Sequence, residues 1–150
     1  MVKTIDTVRR WGVAVAPTET IRGTARLMEQ AGVGAVAVVD GDELVGIVTD
    51  RDLVRRAVAR EYPPDGRIDS VMSSPVVTID ADADLHEAYA VFRTHAVRRL
   101  AVTNAGRFVG TVTIDDLLID LAADLSDLAR PVTAEVLFSH RDSEAPAVTP

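Results

Sequence analysis

The chain has 150 residues, 47% of them hydrophobic and only 4% aromatic, with a formal net charge of −7. That length suits one compact domain, or two small units that lean on each other, and the core must be aliphatic. The negative balance argues against a nucleic-acid or anionic-membrane surface; the absence of cysteine excludes disulfides and thiolate zinc sites.

In chain order, residues 1–11 read as a lead-in, a short helix or extended arm anchored by Trp11. This stretch is polar and charged, without the apolar run of a signal peptide, and no later run approaches the roughly 20 apolar residues of a membrane span. A soluble cytoplasmic protein is expected. Residues 13–16 form a short strand ended by Pro17. Thr18 is the expected N-cap of a helix with Ile21, Ala25 and Met28 inward, and Gly32 closes it. The continuous apolar run 33–39 suits a buried strand. Asp40-Gly41-Asp42 is a hairpin turn, and 43–49 returns as the next strand. Residues 50–60 form an amphipathic helix with Leu53, Val54, Ala57 and Val58 inward, and 62–66 (YPPDG) is a linker.

The same order then recurs. Residues 68–72 mirror the lead-in, 76–79 form a strand, and Asp82 caps a helix carrying Leu85, Ala88, Tyr89 and Phe92. Residues 97–103 and 107–113 form a hairpin, and 114–125 the closing helix. Pro131 is expected to break the chain, 133–138 to add a short amphipathic piece, and 143–150 to be a disordered tail.

The recurrence is sharpest in one frame. Gly46-Ile47-Val48-Thr49-Asp50-Arg51-Asp52 returns sixty-four residues later as Gly110-Thr111-Val112-Thr113-Ile114-Asp115-Asp116, and the alignment extends without a gap back to Val33 and Val97. This is an internal duplication. Locally, T-x-x-D is a helix start: the Thr hydroxyl caps, and the Asp sits in the first turn near the positive end of the helix dipole. An isolated copy would be no more than a capping box. Repeats of about 60 residues bury too little apolar surface to be secure alone, so the two halves should pack together. The expected organisation is a first repeat with its lead-in at 1–65, a second at 66–130, and a partly disordered C-terminal tail at 131–150.

Two tandem strand–helix–strand–strand–helix units, each ending G-x-V-T-x-x-D, resemble a pair of cystathionine-β-synthase (CBS) domains, or Bateman module, over residues 5–125. The resemblance implies an α/β (α+β) fold in which the repeats pack as a pseudo-two-fold module with two clefts. It implies no obligatory cofactor, but an adenosine-containing ligand: AMP or ATP, with S-adenosylmethionine and NAD as alternatives. It also implies a homodimer and a regulated protein partner of unknown identity. Carried over by position, Asp52 and Asp116 match the carboxylate that accepts from the ribose hydroxyls, and Thr49 and Thr113 match the hydroxyl contacting ribose or phosphate. Ala14-Val15-Ala16 and Thr78-Ile79-Asp80 match the strand edge framing adenine. The chemistry is consistent, because an ionised carboxylate only accepts and a vicinal diol offers two donors.

The halves differ in charge. The second offers His95, Arg98 and Arg99, suited to phosphate, where the first has Ala31, Gly34 and Ala35. Two clefts of unequal affinity are expected. Arg51, Arg55, Arg56 and Arg60 read as a solvated helix face, with a partner- or phosphate-contacting surface as the alternative. Asp80, Asp82 and Asp84 read as capping residues rather than a calcium loop, and His86 and His95 lack metal-ligand spacing. No nucleophile elbow, Walker loop or catalytic pairing is present, so no enzyme is expected. The leading expectation is a regulatory nucleotide sensor; the alternative is a ligand-free dimerisation scaffold.

Overall fold

A computed structural model describes residues 2–142 of the chain, with side chains described to residue 132. The chain divides into two compact units, residues 1–114 and 115–150.

The first unit holds two sheets of related design. The apolar run becomes β3 (Ala35–Asp40), whose Val36, Ala37 and Val38 are buried. Gly41, at φ 62°, turns it into the antiparallel β4 (Glu43–Thr49). The left-handed conformation there is one that glycine adopts without a Cβ penalty. β2 (Ala14–Val15) adds in parallel to β3, giving the order β2-β3-β4. In the second half β6 (Arg99–Asn104) and β7 (Arg107–Thr113) form the matching hairpin, with β5 (Thr78–Asp80) parallel to β6. The duplication persists in hydrogen bonds: Ala37 N donates to Val13 O as Ala101 N does to Val77 O, and Asp50 N donates to Gly34 O as Ile114 N does to Arg98 O.

What the sequence does not announce is an exchange of flanks. β1 (Arg10–Trp11), from the N-terminal lead-in, pairs antiparallel with β7, giving the order β1-β7-β6-β5. Before it, α1 (Ile5–Val8) is tied to the second half by Ile5 N to Ala83 O and Asp6 N to Ala81 O. Conversely, the segment after the linker serves the first half. Ile68 N donates to Glu19 O, and Ser73 exchanges both backbone bonds with Ile47, at 2.8 and 3.0 Å. Ile68 and Val71 are buried in the first core with Ile21, Met28, Val36, Val38, Val48 and Ala57.

Several local expectations are corrected. Trp11 is no anchor: it is 82% exposed, whereas Ile5 is fully buried. The cap of α2 (Ile21–Ala31) is Thr20, whose hydroxyl accepts from Gly23 N at 2.9 Å, and not Thr18. Its inward face is Ile21, Thr24 and Met28, while Ala25 is exposed. Asp84, not Asp82, caps α4 (Leu85–His95), accepting from Glu87 N at 2.8 Å. After α3 (Asp50–Asp52) the chain continues as a π-helix over Leu53–Val58, with Ala59 N donating to Val54 O. The wider turn leaves Ala57 buried but Val54 and Val58 exposed.

The second unit is, as far as it is described, the helix α5, which runs from Ile114 to Asp142 with Pro131 inside it. Pro131 therefore does not end the helix. Its ring removes one backbone donor, and the helix continues past it to Asp142. The stretch 133–138 lies within α5, its side chains outside the described residues, and 143–150 lies outside them altogether.

Candidate ligand cleft

The first repeat's motif folds as a reciprocal cap at the end of β4. Asp52 N donates to Thr49 Oγ1 at 3.1 Å, and Thr49 N donates to Asp52 Oδ2 at 3.0 Å. Both orphan donors at the start of α3 are thus satisfied. Ser73 Oγ lies 3.4–3.5 Å from the two oxygens of the same carboxylate. Asp52 retains acceptor capacity, since a carboxylate offers about four lone-pair sites.

Beside this cap opens a cleft of about 460 Å³. Ile47, Thr49, Asp50 and Arg51 form one wall, from the first repeat. Ser73, Pro75, Val76 and Val77 form the floor, and Val97, Arg98 and Arg99 come from the start of β6. Three arginines and one aspartate are among the lining residues, so their formal charges sum to a positive value on a chain that is acidic as a whole. Its apolar residues, Ile47, Pro75, Val76, Val77 and Val97, are aliphatic. That combination suits a planar apolar group joined to an anion. Asp50 and Arg99 converge beside Gly34, where an added Cβ would stand 3.5 Å from Asp50 Oδ2 and 3.9 Å from Arg99 Nη2.

Of the residues singled out in the sequence, Thr49, Arg98 and Arg99 line the cleft, and Asp52 is joined to it through Thr49 and Ser73. Thr78, Ile79 and Asp80 do not line it. They form β5, with Ile79 buried and Asp80 Oδ1 accepting from Asp82 N at 2.8 Å. The strand approach to the cleft is made two residues earlier, by Val76 and Val77. Ala14 and Val15 form β2, followed by the exposed Ala16, and are likewise outside the lining. Thr113 ends β7, and Asp116 sits in the first turn of α5. His95 is exposed, its Nδ1 3.1 Å from Val91 O at the end of α4, and does not join the arginines in the lining. Arg51, the first of the arginines on the helix after β4, is in the lining, and so is Ser73, which the sequence does not single out. Nothing local marks Ser73, whose place depends on its backbone exchange with Ile47.

A second groove of about 490 Å³ lies between α2 and the π-helix, lined by Ile21, Ala25, Leu53, Ala57 and Tyr62 among others, with Arg22 and Glu61 as its charged residues. It lacks the convergence of cations that distinguishes the first. Among the described residues no group of three or more His, Asp or Glu is placed to hold a metal ion. None of their helices is long and apolar enough to cross a membrane.

A model of the CBS domain matches this chain twice, over residues 12–59 and 68–123. The chain belongs to the CBS-domain family. As a CBS pair it is 37% identical over 121 residues to the uncharacterised protein YlbB of Bacillus subtilis, an alignment covering 75% of this chain and 82% of that one. Among solved CBS structures it is similar to a CBS domain protein of Pyrobaculum aerophilum in complex with AMP. There the identity is 29%, the TM-score 0.69, and the coverage 81% of this chain and 99% of that one. It is also similar to Hypoxic Response Protein I, solved with two coordinated zinc ions, at 31% identity and a TM-score of 0.68, covering 77% and 97% of the respective chains. The Mycobacterium tuberculosis protein named hypoxic response protein 1 is 32% identical over 105 residues.

Proposed function

We propose that this CBS pair is a non-catalytic, cytoplasmic regulatory module that binds an adenine nucleotide, AMP or ATP, and passes its occupancy to a partner protein. The observation that carries the reading is the convergence of Thr49 from one repeat with Arg98 and Arg99 from the other in one cleft, next to the Asp52 carboxylate. Val76 and Val77 offer an apolar floor for the base, Asp52 accepts from the ribose hydroxyls, and the arginines hold phosphate. The AMP complex of the Pyrobaculum aerophilum relative supports the ligand class. Because the cleft takes its walls from both repeats, a nucleotide spanning it favours one packing of the repeats, or of two copies in a homodimer, over another. By motif position Thr113 would mark a second, weaker site in the second repeat, because Gly34 and Ala35 stand where the first cleft has its two arginines.

The test is calorimetric titration with AMP, ATP, NAD and S-adenosylmethionine, repeated with Arg98→Ala and Arg99→Ala. Micromolar binding of a nucleotide, lost with its phosphate or with either arginine, supports the sensor. The reciprocal cap itself favours a second reading, in which Thr49 and Asp52 serve the helix start alone and the chain is a ligand-free scaffold. Silence from all four ligands, with no rise in melting temperature on adding them, would select that reading.

A further inference from the structure

We infer that Arg56 is a positioning residue for the cleft: it holds the segment that carries Ser73 and the apolar floor, without lining the cleft itself. Its Nη1 donates to Met72 O at 2.9 Å and to Val71 O at 3.4 Å. Those carbonyls directly follow the short 3-10 turn at Ile68–Ser70, where the chain leaves helical geometry and its carbonyls need donors from elsewhere. Nη1 carries two of the five guanidinium hydrogens, so one nitrogen serves both acceptors. Arg56 is exposed, yet its charge is spent on this segment and not on solvent alone.

What the tie governs follows from the next residue. Ser73 exchanges both backbone bonds with Ile47 and brings its hydroxyl to 3.4–3.5 Å from the Asp52 carboxylate. Gly46 lets the segment lie close on β4, because a Cβ there would collide with the Met72 side chain. Past Ser73, the next backbone tie among the described residues is Val77 O, which accepts from Ala101 N at 3.1 Å. Pro75 and Val76 therefore span the floor between two fixed ends, and Arg56 secures the first of them. The π-helix that bears Arg56 begins directly after Asp52. One short element thus fixes the carboxylate at its start and, a turn later, the segment that carries the floor. Sixty-four residues on, the same position holds Asp120, a carboxylate with no hydrogen to donate once ionised, so the duplication does not carry this tie over.

The inference rests on the nucleotide reading, and two variants on one helix separate it from an effect of charge alone. Arg56→Ala removes the tie, and Arg55→Ala removes the same charge from the neighbouring position. Calorimetric titration with AMP and with adenosine reads the cleft, and amide hydrogen exchange at Ser73 and Ile47 reads the segment. Arg56→Ala should weaken AMP and adenosine by the same factor, about three- to ten-fold, because it displaces Ser73 and the floor and leaves the phosphate contacts in place. Exchange at Ser73 and Ile47 should quicken by a similar factor. Arg56→Lys, which keeps a donor, should recover part of both effects. Arg55→Ala should leave adenosine binding and the two amides unchanged. If the two alanine variants weaken AMP equally and spare adenosine, Arg56 is only a charge acting at a distance and the inference is overturned. Unchanged exchange at Ser73 in Arg56→Ala overturns it as well. A wild type that binds neither ligand defeats the nucleotide reading, while the exchange rates still decide whether Arg56 holds the segment.

Discussion

Asp52 has two candidate employments, and replacing it with alanine separates them. In the structure its carboxylate accepts from Thr49 N at 3.0 Å and lies near Ser73 Oγ, at 3.4–3.5 Å. Losing the cap should cost about 1 kcal/mol, which for a chain of this size lowers the melting temperature by about 3 °C. Losing a charged acceptor for the ribose hydroxyls should cost a further 1.5–3 kcal/mol or so of binding, about ten- to hundred-fold in the AMP dissociation constant. Thr49→Ala is the companion variant. It breaks the other bond of the same cap, so its melting temperature should fall similarly, but it removes a neutral partner and should weaken AMP by only about five-fold. Differential scanning calorimetry and titration on the two variants and the wild type give all four numbers. If Asp52→Ala melts lower yet binds AMP as tightly as the wild type, the carboxylate is a helix cap and the ribose assignment is wrong.

Other expectations concern the exchanged flanks and the surface. Ile68→Ala, at a fully buried position in the first core, should lower unfolding free energy by about 2–5 kcal/mol in urea titration. Gly46→Ala should cost about 1–3 kcal/mol by overpacking, because a Cβ there meets the Met72 side chain and stands 3.2 Å from the Ser73 carbonyl; the same titration reads it. The single tryptophan, Trp11, is 82% exposed beneath the Arg9 guanidinium. Its native fluorescence should resemble that of tryptophan free in water, be quenched readily by acrylamide, and shift little on unfolding.

Much of the architecture was legible because its signals are local. Gly41 between two β-rich runs specifies a hairpin, and Gly32 closes α2 in the left-handed conformation at φ 64°. The return of the Gly46–Asp52 frame at Gly110–Asp116 shows that the arrangement is built twice. The misreadings have physical causes. Arg10 pairs with Thr111, about a hundred residues away, and no local pattern encodes such a register. Trp11 is the large apolar residue of the lead-in, yet the fully buried one is Ile5. Val54 and Val58 match a period of 3.6, but the segment is wound as a π-helix and turns them outward. Thr20 outcompetes Thr18 as a cap since its hydroxyl reaches Gly23 N. Within the cleft, Thr49 is marked by the motif and Arg98 and Arg99 by the difference in charge between the repeats, whereas Ser73 and Val76-Val77 depend on the crossing segment and are invisible to spacing.

That crossing has a consequence for taking the molecule apart. A cut in the exposed linker at 62–66 would separate the halves at the point where the duplication divides, yet each fragment would carry a flank belonging to the other. The piece ending at residue 65 lacks Ile68 and Val71, two members of its own core, and the remaining piece lacks Ile5 and the edge strand at Arg10–Trp11. Neither fragment is a complete folding unit, but together they retain every contact except one peptide bond. The linker is therefore the natural place to divide this protein into two parts, each of which needs the flank carried by the other.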